Sequence, residues 1–227
     1  MPVRRNWAAP LWRLRRVADS VPTITVLAGT NGAGKSSVGG ALLETARAPF
    51  YNPDIETREL MAANPGMTLD EANAAAWGVG KERLETAIEN RTNFNFETTL
   101  GGATIARLLT KAHANGLRAR VWYCGLRDAE LHIARVRARV LRGGHDIAEK
   151  KIRERFDASR NNLCSILPSI DELMLYDNSY DADPHAGRAP HPLQLLHFRD
   201  GKILNLASSI PAWAKPIAAV ALSLAKP

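Results

Sequence analysis

Residues 29–36 of this 227-residue chain read GTNGAGKS and satisfy the pattern G-x-x-x-x-G-K-[ST] at every fixed position. Gly29, Gly32 and Gly34 can take backbone conformations closed to bulkier residues. Successive N–H groups, with those of Thr30, Asn31, Ala33 and Ser37 among them, can then turn toward one anion. Set before a helix N-terminus, such a loop cradles a polyphosphate, with Lys35 reaching the β- and γ-phosphates and the Ser36 hydroxyl ligating Mg²⁺. The chemistry implied is binding of a nucleoside triphosphate, and the loop alone does not decide between a kinase that moves the γ-phosphoryl group to a metabolite and an ATPase or GTPase that moves protein parts.

Two further groups could serve an acceptor. Asp54 lies 25 residues beyond Gly29, at the expected end of a second strand, where a carboxylate can take or orient the proton of an attacking hydroxyl or bind a magnesium-bound water. Within Asn52–Pro53–Asp54 it can equally be a turn cap. Glu97, Thr98 and Thr99 close the run NFNFETT and should open on the same crevice, Glu97 toward sugar hydroxyls and the threonines toward an acceptor phosphate, unless the threonines are only caps. Residues 135–156, RVRARVLRGGHDIAEKKIRERF, carry six arginines around Gly143–Gly144. Arg135, Arg139 and Arg142 recur at i, i+4 and i+7 on one helix face. A solvated basic helix pair explains this run, and so does a hinged lid whose arginines neutralise a transferred phosphoryl group. His145 reads as a helix-start or hinge residue rather than a metal ligand, since no second histidine lies at ligand spacing.

These side chains need elements to carry them. TITVLAG, residues 23–29, reads as a buried parallel strand, followed by a helix from Lys35 to Ala46. Residues 49–54 read as a second strand that Pro53 stops. Residues 69–90 read as one long helix or a pair hinged near Gly78 and Gly80. Residues 93–100 follow as a strand, 103–115 as a helix closed by Asn115–Gly116, and 118–126 as a strand. Helices are expected at about 128–142 and 147–163, and strands at 173–179 and 193–204, the last with a hairpin at Asp200–Gly201. This alternation gives an α/β fold, a mostly parallel sheet flanked by helices, which with the loop at 29–36 is expected to be a P-loop NTPase/kinase fold, one domain over residues 21–227 with an arginine-bearing helical lid at about 128–163. Residues 1–20, with Trp7, Trp12 and five arginines, make a basic arm or a solvated leader. Residues 180–192 read as a loop of low order.

Composition narrows the function classes. A 45% hydrophobic share supports an ordinary apolar core. No uninterrupted apolar run reaches the ~18 residues of a membrane span, and no secretory signal fits the N-terminus, so a cytoplasmic protein without a membrane role is expected. Two cysteines, Cys124 and Cys164, are too few for a disulfide scaffold or a thiolate metal site. The net charge of +7 gathers in residues 1–20 and in 127–160, where ten basic groups face six acidic ones. Charge so placed suits a phosphate-rich ligand, and a nucleic-acid partner is not expected. A guanine motif N/T-K-x-D and an L-S-G-G-Q motif are both absent, and Asn178 follows Asp177 where an ABC-type ATPase would carry glutamate. Transfer to a small molecule is favoured.

The segments GTNGAGKSS, YNPD, FNFETTLGG, RVRARV with RGGHDI and KIRERF, and YDNS resemble the zeta-toxin family of P-loop small-molecule kinases, over roughly residues 22–180. That resemblance implies an ATP- and Mg²⁺-dependent phosphotransferase. The family's better-known members phosphorylate UDP-N-acetylglucosamine at the sugar 3′-hydroxyl, and many are neutralised by a small antitoxin. Matched residue by residue, it implies Lys35 and Ser36 for the nucleotide, Asp54 as catalytic carboxylate, Glu97 and Thr99 around the acceptor, and Arg139, Arg153 and Arg155 as lid arginines on ATP. The implied partners are a nucleotide sugar or related metabolite and an antitoxin protein. An antibiotic or another hydroxylated metabolite is the alternative acceptor, and a nucleic-acid-stimulated ATPase has only the net charge in its favour.

Overall fold

The computed structural model describes residues 21–35, 38–39, 50–180 and 192–226. Its strands are β1 (Thr23–Ala28), β2 (Phe50–Tyr51), β3 (Phe94–Thr98), β4 (Arg118–Gly125), β5 (Glu172–Asp177), β6 (Leu193–Arg199) and β7 (Lys202–Leu206). They form one sheet in the order β2-β3-β1-β4-β5-β6-β7. The first five are parallel and the last two antiparallel. All six residues of β1 are buried, as a β-branched central strand covered on both faces should be. Because β1 pairs with β3 on one side and β4 on the other, a crevice opens at its C-terminal end.

The helices are α1 (Pro53–Ala63), α2 (Leu69–Glu89), α3 (Ala103–Ala114), α4 (Ala129–Val140), α5 (Glu149–Ile166) and α6 (Lys215–Leu224). Lys35, Val38 and Gly39 are also helical, directly after the glycine loop. Most of the helix expected there, the basic arm at 1–20 and nearly all of the loop at 180–192 lie outside the described residues. The main core joins Ile24, Val26, Tyr123, Leu163, Leu173 and Trp213 on one side of the sheet. A smaller cluster of Leu27, Val38, Trp122, Cys124 and Met174 lies on the other, as the two-residue alternation of strand side chains requires.

Sequence expectation and structure part at two places, 49–54 and 215–224. The strand expected over 49–54 stops at Tyr51, and α1 begins at Pro53, with Asn52 as its N-cap. The expected strand end at Asp54 is thus a helix start. Of the two forms expected for 69–90 the structure takes the first, one helix opened by a capping box of Thr68 and Glu71 and unbroken at either glycine. Gly80 serves packing instead: a side chain there would overlap the Tyr51 ring, whose hydroxyl donates to the Ala76 carbonyl. Finally, residues 215–224 form α6, preceded by a turn that seats Trp213 against Tyr123 with ring centroids 6.3 Å apart. The hairpin stands where expected, with Asp200 and Gly201 both at positive φ. Among the described residues no helix is long and apolar enough to cross a membrane.

Candidate active site

At the C-terminal edge of the sheet lies a groove of about 1600 Å³. Gly32 and Gly34 line it, and Gly29, Gly32 and Gly34 of the loop have φ of 143°, 81° and 78°. Each also lacks room for a side chain, Gly29 against the Cys124 carbonyl, Gly32 against the His132 carbonyl and Gly34 against the Asn178 amide. Three elements grip the loop from behind. His132 of α4 donates from Nδ1 to the Asn31 carbonyl at 2.8 Å, and Asn178, just past β5, donates from Nδ2 to the Ala33 carbonyl at 2.9 Å. Arg155 of α5 donates to Asn31 Oδ1 at 2.8 Å and accepts the Thr30 hydroxyl on its own carbonyl at 3.3 Å. Thr30 and Ala33 are fully buried in this backing. The Cys124 thiol also donates to the Ala33 carbonyl, at 3.1 Å, and burial pushes that thiol up to about 12, so it stays protonated.

Lys35 follows the loop with its Nζ 2.8 Å from the Gly29 carbonyl and 3.3 Å from Glu97 Oε1. Glu97 Oε2 accepts from Asn52 Nδ2 at 3.1 Å, so the carboxylate expected at sugar hydroxyls is held between a lysine and an asparagine. Thr98 and Thr99 line the groove, while their hydroxyls accept from the N–H groups of Leu100 and Gly101 at 3.0 and 3.4 Å and hold the turn after β3. Ser36 and Ser37 lie outside the described residues.

Asp54 is not a cap. That part is played by Asn52, whose Oδ1 accepts from the N–H groups of Asp54 and Ile55 at 2.8 and 3.3 Å. The Asp54 carboxylate lines the groove, with Arg139 Nη1 and His145 Nε2 each 3.9 Å away. Arg139 also donates to the His145 carbonyl at 3.0 Å. Arg135, Arg139, Arg142 and Arg155 all face the groove. Burial pulls the Arg155 guanidinium down from its ordinary value, and the Asp54 charge opposes that shift.

Arg153 requires a correction. Its guanidinium bonds both carboxylate oxygens of Glu130 on α4, and it is not among the residues of the groove. The reason is helix phase: Ile152, Ser159 and Leu163 are the buried stripe of α5, and two residues are about 200° of rotation, so 153 and 155 cannot share a face. Sequence reasoning also missed His132 and Asn178 as supports of the loop. For His132 a polar residue at a helix position expected to be buried was the available signal, and for Asn178 the sequence held none. Burial pulls His132 down to about 4 against the raising effect of its bond to Asn31, so its ring is neutral.

Sheet order, glycine loop and groove define the class of P-loop kinases. The sequence model of the zeta toxin family matches residues 12–180, and the chain belongs to that family. An uncharacterized protein of Haemophilus influenzae is 31% identical over 128 residues, which are 56% of this chain and 88% of that protein. Among solved structures, the AvrRxo1-ORF1:AvrRxo1-ORF2 complex with sulphate ions is similar at a TM-score of 0.61 and 16% identity, over 88% of this chain and 64% of that one. The same complex with ATP gives 0.60 and 15%, over the same shares. The present chain therefore spans less than two thirds of that neighbour. The PezAT chromosomal toxin–antitoxin system of Streptococcus pneumoniae matches at 0.52 and 12% identity, over 71% of this chain and 70% of that one. At these identities the likeness to the solved structures is one of fold.

Proposed function

We propose that this protein transfers the γ-phosphoryl group of ATP to a hydroxyl of a nucleotide sugar, UDP-N-acetylglucosamine or a related nucleotide metabolite, as the toxin of a cytoplasmic toxin–antitoxin pair. The observation that carries the reading is that a phosphate loop with its lysine and a carboxylate that caps no helix, Asp54, open on one groove. At about 1600 Å³ that groove exceeds the ~300–1,000 Å³ of an ordinary single-ligand site. It has room for a donor and an acceptor together.

In this reading the loop N–H groups and Lys35 hold the β- and γ-phosphates. Arg139 and Arg155 place positive charge where the transferred phosphoryl group spreads its own. Asp54 takes the proton of the acceptor hydroxyl as its oxygen bonds the γ-phosphorus, while the bond from that phosphorus to the β-phosphate oxygen breaks and ADP leaves. Among the described residues no group of three His, Cys, Asp or Glu side chains could hold a metal by itself. The hard oxygens of Ser36, Asp54 and Glu97 suit a magnesium ion carried in on the nucleotide, which when bound would neutralise phosphate charge. The ATP in the AvrRxo1 complex and the toxin–antitoxin origin of the PezAT structure support the nucleotide and the antitoxin in turn.

The test is incubation with labelled ATP and Mg²⁺, with UDP-N-acetylglucosamine or a metabolite extract, in the presence and absence of RNA or DNA. Label in UDP-N-acetylglucosamine is the expected result. Label in another small molecule would move the acceptor and keep the kinase. ATP hydrolysis that rises only with nucleic acid would overturn the proposal.

A further inference from the structure

Among the described residues, two aromatic side chains are exposed, Trp77 at 51% and Tyr180 at 68%, and both line the groove. Tyr180 comes two residues after Asn178, which touches Gly34, so it belongs to the phosphate-loop side. Trp77 belongs to α2, on the side of Asn52 and Asp54. Asp70, Asn73, Ala74 and Trp77 recur at i, i+3, i+4 and i+7 and all line the groove. The other face of α2, through Ala72, Ala76 and Leu84, is buried in the fold. A half-exposed indole in a concave site forfeits apolar burial that a ligand can restore.

The neighbours of Trp77 say what kind of ligand. Thr57 of α1 donates to Asn73 Oδ1 at 3.2 Å, which leaves Nδ2 as the donor Asn73 can offer to a ring carbonyl. Asp70 supplies an acceptor for a ring N–H. Arg142 and Lys151 add positive charge to the same groove.

We propose that Trp77 is the residue on which the flat heteroaromatic base of the proposed nucleotide acceptor stacks. Its base lies on the indole with its edge toward Asn73 and Asp70, its phosphates face Arg142 and Lys151, and its hydroxyl lies at Asp54. This rests on the reading that the groove takes a second substrate beside ATP.

The test uses UMP, and N-acetylglucosamine 1-phosphate as a probe without a base, each titrated in the presence of a saturating non-hydrolysable ATP analogue. UMP should quench tryptophan fluorescence of the native protein and leave that of Trp77→Phe unquenched. Base–aromatic stacking predicts UMP affinity lowered about 10-fold in Trp77→Ala and less in Trp77→Phe, which keeps a ring. Affinity for N-acetylglucosamine 1-phosphate should not change in either variant. Equal UMP affinity in native protein and Trp77→Ala, with the ATP analogue bound normally, overturns the platform and leaves the kinase reading standing. Failure of the native protein to bind the ATP analogue overturns both.

Discussion

Lys35 and Asp54 open on the same groove in different company, and the difference sets what their loss should do. Lys35 is buried beside Glu97, so Lys35→Ala removes the charge on the phosphates and leaves Glu97 with Asn52 alone. Turnover should fall by roughly 10³-fold or more, as when a preorganised electrostatic group is lost, with a small drop in melting temperature. Asp54 caps nothing, so Asp54→Asn should lower kcat by about 10²-fold at near-native ATP affinity and unchanged melting temperature. Asn52→Ala gives the converse. It costs about 1 kcal/mol of stability through the lost cap and acts on rate only through Glu97. Normal turnover in Asp54→Asn would remove that carboxylate from the chemistry.

At the same scale, His132 ties stability to pH. Burial holds it at about 4, below the ~6.5 of a free histidine. Between those values the unfolded chain binds a proton that the folded chain refuses. Stability from this group is therefore full above about pH 6.5 and is lost as pH falls toward 4, by roughly 3 kcal/mol across the window. Urea unfolding at pH 7 and pH 5 should show a lower midpoint at pH 5 for the native protein. In His132→Gln the drop should be smaller. Equal drops in the two proteins would place the acid sensitivity elsewhere.

Elements differ in how far their sequence announced them. The glycine loop and β1 were legible because their spacing and β-branched run belong to few structures, and α3 with its Asn115–Gly116 end needed only local signals. The groove-facing arginines 135, 139 and 142 followed from the helical repeat. By contrast, α1 was missed because its weakly amphipathic sequence follows a proline that also reads as a strand end. Arg153 was misassigned because helix phase is set by what α5 buries, which charged residues do not reveal. Asn178 shows the same limit, since only the fold brings the end of β5 against Gly34. Its grip on the Ala33 carbonyl makes it a positioning residue. Asn178→Ala should raise the Kd for an ATP analogue about 10-fold, while the kcat ratio between Asp54→Asn and native stays as it was. Unchanged ATP affinity would reduce Asn178 to packing.

On the scale of the whole molecule, the segment beyond the family match closes the core. The sheet continues past β5 through β6 and β7, and Glu172, almost fully buried, joins them: it accepts from His197 Nε2 at 2.8 Å and lies 3.3 Å from Arg120 and 4.0 Å from Arg199. Burial opposes its charge, and the His197 bond and the two arginines together hold its carboxyl below the ordinary value. Trp213 then covers the end of β4, packed so closely on Gly125 that a side chain there would overlap the indole. Trp213→Ala opens a cavity over Tyr123 and Gly125 and should cost about 3–5 kcal/mol, read as a lower urea midpoint with the slope retained. Gly125→Ala should destabilise by the opposite route, overpacking of the same contact. Both sites lie on the core side of the sheet rather than in the groove. The surviving folded fraction of each variant should therefore keep native ATP-analogue affinity. A Trp213→Ala protein as stable as the native one would mean that this segment is only laid over a core already complete without it.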